Sequence, residues 1–236
     1  MKFLYLQVLG CLAFPALSLA GSIDWGTALS DELFDAGGQA LTSSYRFELG
    51  TFRDGFVPGS TNTGEWESKW KVIEEASFNA ADQYAAENSI LTASGPDLIW
   101  ERDATGDENG PLSNPNLFSP GEMVFVWAFN AKAIDGTTQW ALVTGQGKTA
   151  NSDWRLTAAM GDALAATREW RLSNADTVFF GGLNNNRGAG DYHALPASYT
   201  LQTALLSPIP EPDTIILLAA ATAISLSRRR PALNRT

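Results

Sequence analysis

The sequence predicts a mainly β fold, an antiparallel β-sandwich or jelly-roll-like single domain with one short helix. Three observations predict it. Apolar residues come in short runs, turn-forming Gly, Asn and Asp residues separate these runs, and aromatic or β-branched residues occupy their centres. The predicted strands are 45–52, 123–130, 139–144, 170–172, 177–180 and 197–206.

The one predicted helix covers residues 64–77. Trp66, Trp70 and Ile73 follow the i, i+4, i+7 spacing of a helix face, and Glu67 and Lys71 form an i, i+4 pair. Residues 101–121 are rich in Gly, Pro and Asn and predict a long polar loop. Residues 152–167 fit either a helix or a strand.

The N-terminus has the pattern of a secretory signal peptide over residues 1–20. Lys2 precedes an apolar stretch that ends in small residues, so we expect cleavage after Ala20 and a mature chain beginning at Gly21. Lipoprotein processing at Cys11 is the alternative. Because Cys11 is the only cysteine, cleavage after Ala20 would leave no disulfide and no thiol.

The charge of the chain is strongly negative. When residues 1–20 and 208–236 are left out, 11 basic and 24 acidic residues remain, which gives a net charge of −13. This surplus argues against nucleic acid or an anionic membrane surface as a partner. It is compatible with divalent cations or neutral glycans outside the cell.

The C-terminal segment, residues 208–236, combines three features in a fixed order. A Pro210-Glu211-Pro212 triplet precedes an apolar run over residues 215–226, and Arg228, Arg229 and Arg230 follow. The prolines hold the triplet extended. The apolar run is shorter than the ~20 residues that span a bilayer, so we expect a marginal membrane helix at about 214–227. The arginines should stay on the cytoplasmic side.

This order of features resembles the PEP-CTERM sorting signal of exported proteins in Gram-negative bacteria that make extracellular polysaccharide. The resemblance implies passage through the general secretion machinery, a transient stay in the inner membrane, and processing at the triplet by an exosortase, a membrane-embedded cysteine peptidase. Asp213 departs from the family pattern, where Ser or Thr is usual. Residues 21–207 would then form the exported β-rich domain, similar to other PEP-CTERM ectodomains.

The sequence contains no clear catalytic constellation. His193, the only histidine, lies in a Gly-rich and Pro-containing stretch typical of a loop or edge. Carboxylates that could serve glycoside hydrolysis cannot be paired from sequence; they include Glu74, Glu75, Asp103, Asp107, Glu108 and Asp191. The eight tryptophans predict core packing, Trp127 and Trp140 most clearly, with sugar stacking as the alternative.

A weak calcium site is the one metal hypothesis. Asp103, Asp107 and Asn109 provide hard oxygen ligands on one predicted loop, although their spacing does not fit an EF-hand. No other cofactor is expected.

The sequence therefore favours a non-enzymatic protein of the cell surface or extracellular matrix, associated with extracellular polysaccharide. Two alternatives stay open. One is a carbohydrate-binding module or a carboxylate-dependent glycan hydrolase, which predicts a groove lined by aromatic residues. The other is a permanent single-pass membrane protein.

Overall fold

A computed structural model of the chain describes residues 19–94, 99–102, 117–148, 152–156 and 168–206. Within these ranges the fold is mainly β, as predicted, with one short helix, α1 (Trp66–Lys69). The strands are β1 (Leu19–Gly26), β2 (Leu33–Phe34), β3 (Arg46–Phe52), β4 (Trp70–Ala76), β5 (Phe78–Asn79), β6 (Tyr84–Ser94), β7 (Ile99–Arg102), β8 (Leu117–Phe118), β9 (Phe125–Phe129), β10 (Gln139–Thr144), β11 (Arg168–Arg171), β12 (Thr177–Phe180), β13 (Gly182–Leu183), β14 (Asn186–Arg187), β15 (Leu201–Gln202) and β16 (Ala204–Leu205).

The strands form three sheets. Sheet I has the order β11-β1-β6-β7-β8, with β5 also paired to β6, and sheet II has the order β12-β10-β9-β3-β4, with β16 also paired to β10. Sheet III is small, with the order β14-β13-β15-β2. Most pairs are antiparallel, but β1 with β11 and β2 with β15 are parallel. The described sheets are therefore mixed rather than purely antiparallel.

Sheet II is buried on both faces. Alternate residues of β9 point to opposite sides, so Val126 and Ala128 enter one core while Trp127 and Phe129 enter another. This double burial explains why β9 and β10 read as continuous apolar runs instead of alternating with polar residues.

We call the two cores the three-sheet core and the aromatic core. The three-sheet core joins all three sheets and includes Ile23, Trp25, Leu33, Phe47, Leu49, Ile73, Ala76, Val126, Ala128, Ala141, Val143, Trp154, Trp170, Leu183 and Leu201. The aromatic core covers the opposite face of sheet II and comprises Phe52, Trp66, Trp70, Phe125, Trp127, Phe129, Trp140, Leu142, Phe180, Ala204 and Leu206.

The predicted helix over residues 64–77 is largely wrong. A 3₁₀ turn (Thr63–Glu65) and α1 end at Lys69, and the chain continues as β4. Trp70 and Ile73 are an odd number of positions apart and therefore point to opposite faces, Trp70 into the aromatic core and Ile73 into the three-sheet core. A β-bulge shifts the β3–β4 register between Leu49 and Gly50, so that Ala76 lies on the same face as Ile73. The helical spacing of Trp66, Trp70 and Ile73 thus joins residues that face two different cores.

Predictions for the other strands agree well with the structure. The segments 45–52, 123–130, 139–144 and 177–180 contain β3, β9, β10 and β12, and 197–206 contains the short β15 and β16. The segment 170–172 overlaps only the last two residues of β11. β1 and the long β6 were not predicted, and they pair with each other over their shared length. Residues 117–118, predicted as loop, form β8, and residues 152–156 form no helix.

Both predicted ends of the chain fall largely outside the described residues. This holds for signal-peptide residues 1–18 and for everything after residue 206, including the predicted membrane helix. Among the residues that are described, no helix has the length and apolar character needed to cross a membrane.

Candidate functional site

One edge of the aromatic core opens into a cavity of about 300 Å³, which we call the phenylalanine pocket. It lies where β3, β9 and β12 meet the loop that follows β3. Its lining combines a mainly apolar surface with a few polar groups, the usual composition of a ligand site. The lining residues are Phe52, Asp54, Gly55, Phe56, Val57, Pro58, Glu122, Met123, Phe125, Gln146 and Phe179.

The floor of the pocket is a row of four phenylalanine rings. Phe52 lies between Phe56 and Phe125, with ring-centroid distances of 5.4 and 5.3 Å, and Phe179 continues the row 5.5 Å beyond Phe125. Phe52 and Phe125 are buried, whereas Phe56 and Phe179 are half-buried and present apolar surface to the pocket. The floor is therefore an extension of the aromatic core toward solvent.

A tight turn forms one wall of the pocket. Asp54 and Gly55 both adopt left-handed backbone conformations, with φ of 57° and 66°, and this reverses the chain after β3. The turn places Phe56 against Phe52 and leaves Val57 at the lip, where 73% of Val57 is exposed. A large apolar residue with this exposure marks the lip as an unusual part of the surface.

Asn62 fastens this wall to the aromatic core. Its Oδ1 accepts hydrogen bonds from the Gly59 amide (2.8 Å) and from Trp66 Nε1 (2.9 Å), and its Nδ2 donates to the Val57 carbonyl (3.0 Å). Because Trp66 is fully buried, the loop is tied to a fixed point. The wall is thus pre-formed rather than dependent on a ligand.

Two carboxylates stand in the lining, and each is close to a lysine. Both oxygens of Glu122 accept hydrogen bonds from Lys71 Nζ, at 3.0 and 2.9 Å, and Glu122 also accepts one from the Ser119 amide. Asp54 lies 3.7 Å from Lys69 Nζ and is well exposed. The pocket therefore has hydrogen-bond acceptors without a large local net charge.

A second charged group lies at the other end of the aromatic core. Lys132 Nζ is 2.7 Å from Glu48 Oε2, which also accepts a hydrogen bond from Trp70 Nε1 at 2.7 Å. Burial raises the pKa of Glu48, and the neighbouring Lys132 and Trp70 oppose that rise. The pair holds the loop after β9 against sheet II, and neither residue lines the phenylalanine pocket.

A polar cleft of about 430 Å³ lies beside β12 and sheet III. Asp176 on its wall accepts hydrogen bonds from the Gln146 and Lys148 amides and from Ser152 Oγ. Burial raises the pKa of Asp176, but these bonds and one from Thr177 outweigh it and lower the value to about 2. Because these bonds engage both of its oxygens, Asp176 is a structural anchor for the loop after β10.

Among the described residues, the structure does not bring the predicted catalytic candidates together, and Asp103, Asp107 and Glu108 lie outside the described residues. His193 is exposed, and its backbone amide donates to the Ala36 carbonyl. Glu75 forms an ion pair with Arg46 at the exposed edge of sheet II, and Asp191 is exposed beside β16. These residues do not form one site.

The tryptophans are core residues wherever their side chains are described. Trp127 and Trp140 are fully buried, as predicted. The same holds, within a few per cent of exposure, for Trp25, Trp66, Trp70, Trp154 and Trp170. None of these seven provides an exposed sugar platform.

Several predicted positions lie outside the described residues. They are the calcium candidates Asp103, Asp107 and Asn109, the triplet Pro210, Glu211 and Pro212, and the cluster Arg228, Arg229 and Arg230. At the predicted cleavage point, Ala20 and Gly21 lie in β1 opposite Thr92 and Leu91 of β6. In the described part of the chain, no three His, Cys, Asp or Glu residues group closely enough to hold a metal ion.

Comparison of the chain with protein-family models, with curated proteins and with solved structures gives no match. The site must therefore be judged on its own geometry. The phenylalanine pocket was not predicted from the sequence. In the sequence, the one indication of this pocket is the apolar triplet Phe56-Val57-Pro58. It directly follows the Asp54-Gly55 turn, where polar residues would be expected.

Proposed function

We propose that the chain is an exported, non-enzymatic protein of the cell surface or extracellular matrix, carrying a sandwich-like β domain and a C-terminal sorting segment. The observation that carries this proposal is the order of the Pro210-Glu211-Pro212 triplet, the apolar run and the arginine cluster. An exosortase would recognise the triplet while the apolar segment holds the chain in the inner membrane.

The position of the triplet supports this proposal. The last described residue, Leu206, is hydrogen-bonded through its amide to the Thr138 carbonyl beside β10. Pro210 follows only four residues later. On this proposal the exosortase would meet the triplet within a few residues of the folded domain, and the two prolines would disfavour a helix there.

The composition of the domain is also compatible with a protein that functions outside the cell. The domain has a net charge of −13 and no cysteine, and it relies on two densely aromatic cores for stability. A domain of this size does not need disulfides when its core is large. The hydrolase alternative gains no support from the pocket carboxylates, because both oxygens of Glu122 accept hydrogen bonds from Lys71 Nζ and Asp54 faces Lys69 Nζ.

The processing proposal is tested by the C-terminus of the protein made in its native host. Intact-mass and C-terminal peptide analysis of separate cell fractions should show that the tail after Pro212 is missing outside the cell. A Glu211→Ala variant should instead accumulate in the inner membrane with Arg228–Arg230 still attached. Glu67→Ala, an exposed charge removal in α1, is the matched control and should be processed normally.

An unprocessed wild-type chain in the inner membrane would contradict the proposal and identify a permanent single-pass protein. Equal processing of the wild-type and Glu211→Ala chains would also contradict it, since recognition would then not depend on the triplet.

A further inference from the structure

We propose that the phenylalanine pocket binds a neutral saccharide, one or two sugar residues at a time. This saccharide would be the ligand of the proposed extracellular protein. The inference depends on the proposed function only for where the protein would encounter the sugar. Its evidence is separate, because it comes from the shape, the lining and the charge balance of the pocket.

The floor of the pocket fits the apolar face of a sugar ring. The C–H groups on one side of a pyranose pack well against aromatic rings, whose faces carry partial negative charge. Phe56 and Phe179 present this surface from opposite ends of the row, and Met123 extends it. At about 300 Å³ the cavity is at the small end of ligand pockets, so it fits a short stretch of a chain.

The polar lining fits sugar hydroxyls. A hydroxyl donates well to a carboxylate, and Asp54 and Glu122 provide carboxylate oxygens beside the apolar floor. Gln146 adds an exposed amide that both donates and accepts. A purely apolar ligand would shield these groups from water without offering them hydrogen bonds in return, at a cost in free energy.

The charge balance selects against anionic sugars. Lys69 and Lys71 offset the two carboxylates, so the pocket offers no net positive charge to an anionic ligand. The surrounding domain carries a net charge of −13 and repels polyanions further. A neutral ligand therefore meets less electrostatic resistance than an anionic one.

The pocket is also pre-formed, which lowers the entropic cost of binding. The Asn62 hydrogen bonds hold the Val57–Gly59 wall against Trp66, and Lys71 holds Glu122. Val57 forms the lip of this fixed wall and is 73% exposed, so it can contact a ligand without first leaving the core.

Saturation-transfer NMR and calorimetry on the full-length chain test the proposal, in a detergent that has no sugar head group. The probes are cellohexaose and maltohexaose, with hexagalacturonic acid as the anionic comparison and cyclohexanol as the apolar one. We expect one or both neutral hexasaccharides to bind, the anionic sugar to bind at least about tenfold more weakly, and the apolar probe to give no saturable binding.

Two substitutions locate the binding site. Val57→Asp puts a charge on the apolar lip, and Asp54→Asn removes a charged acceptor while keeping a residue type that tolerates the left-handed conformation. We expect Val57→Asp to weaken saccharide binding by about tenfold and Asp54→Asn by a few-fold. Leu29→Asp, at a position 76% exposed and outside the pocket, is the matched control and should bind like the wild type.

Three outcomes would overturn the inference. They are no binding of either neutral probe, binding that Val57→Asp leaves unchanged, and saturable binding of cyclohexanol alone. Each of them is compatible with normal processing at Glu211, and loss of processing is compatible with saccharide binding, so the two proposals can fail separately.

Discussion

Lys132 lies over the rings of Trp127 and Phe129 and places its ammonium 2.7 Å from the Glu48 carboxylate. Glu48 is almost fully buried, whereas Lys132 keeps part of its side chain in solvent. Removing one partner of such a pair leaves a desolvated charge, which costs more than the pair contributes when intact. The pair therefore makes the stability of sheet II depend on the charge state of one glutamate.

Lys132→Met should destabilise the protein by about 2 kcal/mol at pH 7, and by much less at pH 4. Burial raises the pKa of Glu48 in the folded state, so the folded protein binds this proton more tightly than the unfolded chain does. The contribution of Glu48 to stability is therefore greatest at low pH and decreases as the pH rises through the folded pKa. Replacing Lys132 makes this decrease steeper, because it removes the positive charge that counteracts the effect of burial on the pKa of Glu48.

Urea unfolding of both proteins at pH 4 and pH 7 measures this effect. Lys69→Met is the matched control, since its contact with exposed Asp54 is 3.7 Å long and should contribute little at either pH. If Lys132→Met lowers the free energy of unfolding equally at both pH values, the ion pair is not the cause of the lower stability.

Trp66→Ala should destabilise the protein by about 3–5 kcal/mol, because it empties the centre of the aromatic core. Trp66 stacks on Trp140 at 5.4 Å and meets Trp127 edge-on at 6.1 Å. Its indole also holds Asn62, so the loop over the phenylalanine pocket should loosen together with the core. Chemical unfolding measures the loss of stability, and near-ultraviolet circular dichroism should show the loss of coupled indole signals.

Leu29→Ala provides the control for the aromatic core. Leu29 is 76% exposed, so its truncation should change the free energy of unfolding by less than about 0.5 kcal/mol. A Trp66→Ala protein as stable as this control would contradict the placement of Trp66 at the centre of the aromatic core.

Asp176→Asn should lower stability at pH 7 by about 1–2 kcal/mol, since an amide cannot accept at both of its terminal atoms. In the wild type, the folded pKa of Asp176 is lowered to about 2 by its hydrogen bonds. The stabilisation is thus complete above the unfolded pKa near 4, and it disappears as the pH falls toward 2.

Thermal unfolding between pH 2 and pH 7 tests this prediction. The wild type and Asp176→Asn should approach each other in stability as the pH falls. Asp153→Asn, at a more exposed position with a looser ion pair to Arg155 (3.4 Å), should match the wild type throughout. A difference between the wild type and Asp176→Asn that stays constant down to pH 2 would contradict the assignment.

Gly50→Ala should destabilise sheet II by about 3 kcal/mol. A Cβ at this position would lie 2.3 Å from the Lys71 carbonyl oxygen and 2.6 Å from the ring of Trp70. Both neighbours belong to β4, so β3 and β4 would have to separate at their bulge. Gly64→Ala is the control, because its Cβ would have no neighbour within 4 Å, and this protein should be as stable as the wild type. Equal stability of the two variants would contradict this close approach of β3 and β4 at Gly50.

The strands that sequence reasoning predicted are those with dense aromatic and branched residues, such as β9 and β10. β6 was missed because its Ala, Glu, Asn and Ser residues resemble a loop, and only its pairing with β1 and β7 makes it a strand. β1 was missed because its first residues were assigned to the signal peptide. In each case a long-range partner, which a local pattern cannot show, decides the structure.

The helix prediction failed for a related reason. The spacing of Trp66, Trp70 and Ile73 satisfied a helical pattern, yet the residues belong to two elements that meet two different cores. The phenylalanine pocket depends in the same way on contacts distant in sequence, since Phe52, Phe125 and Phe179 approach one another only through sheet II. Composition alone indicated an aromatic protein without showing where its rings reach the surface.

The parallel pairing of β2 with β15 has a consequence for how the chain reaches its native state. Leu33 pairs with Leu201, and Ser198 donates a hydrogen bond to Glu32 across a separation of 166 residues. The β1–β11 pair likewise closes a long loop. Such closures are slow and come late. A chain that emerges N-terminus first therefore cannot complete sheets I and III until β11 and β15 have followed, and until then β2 has no strand with which to pair.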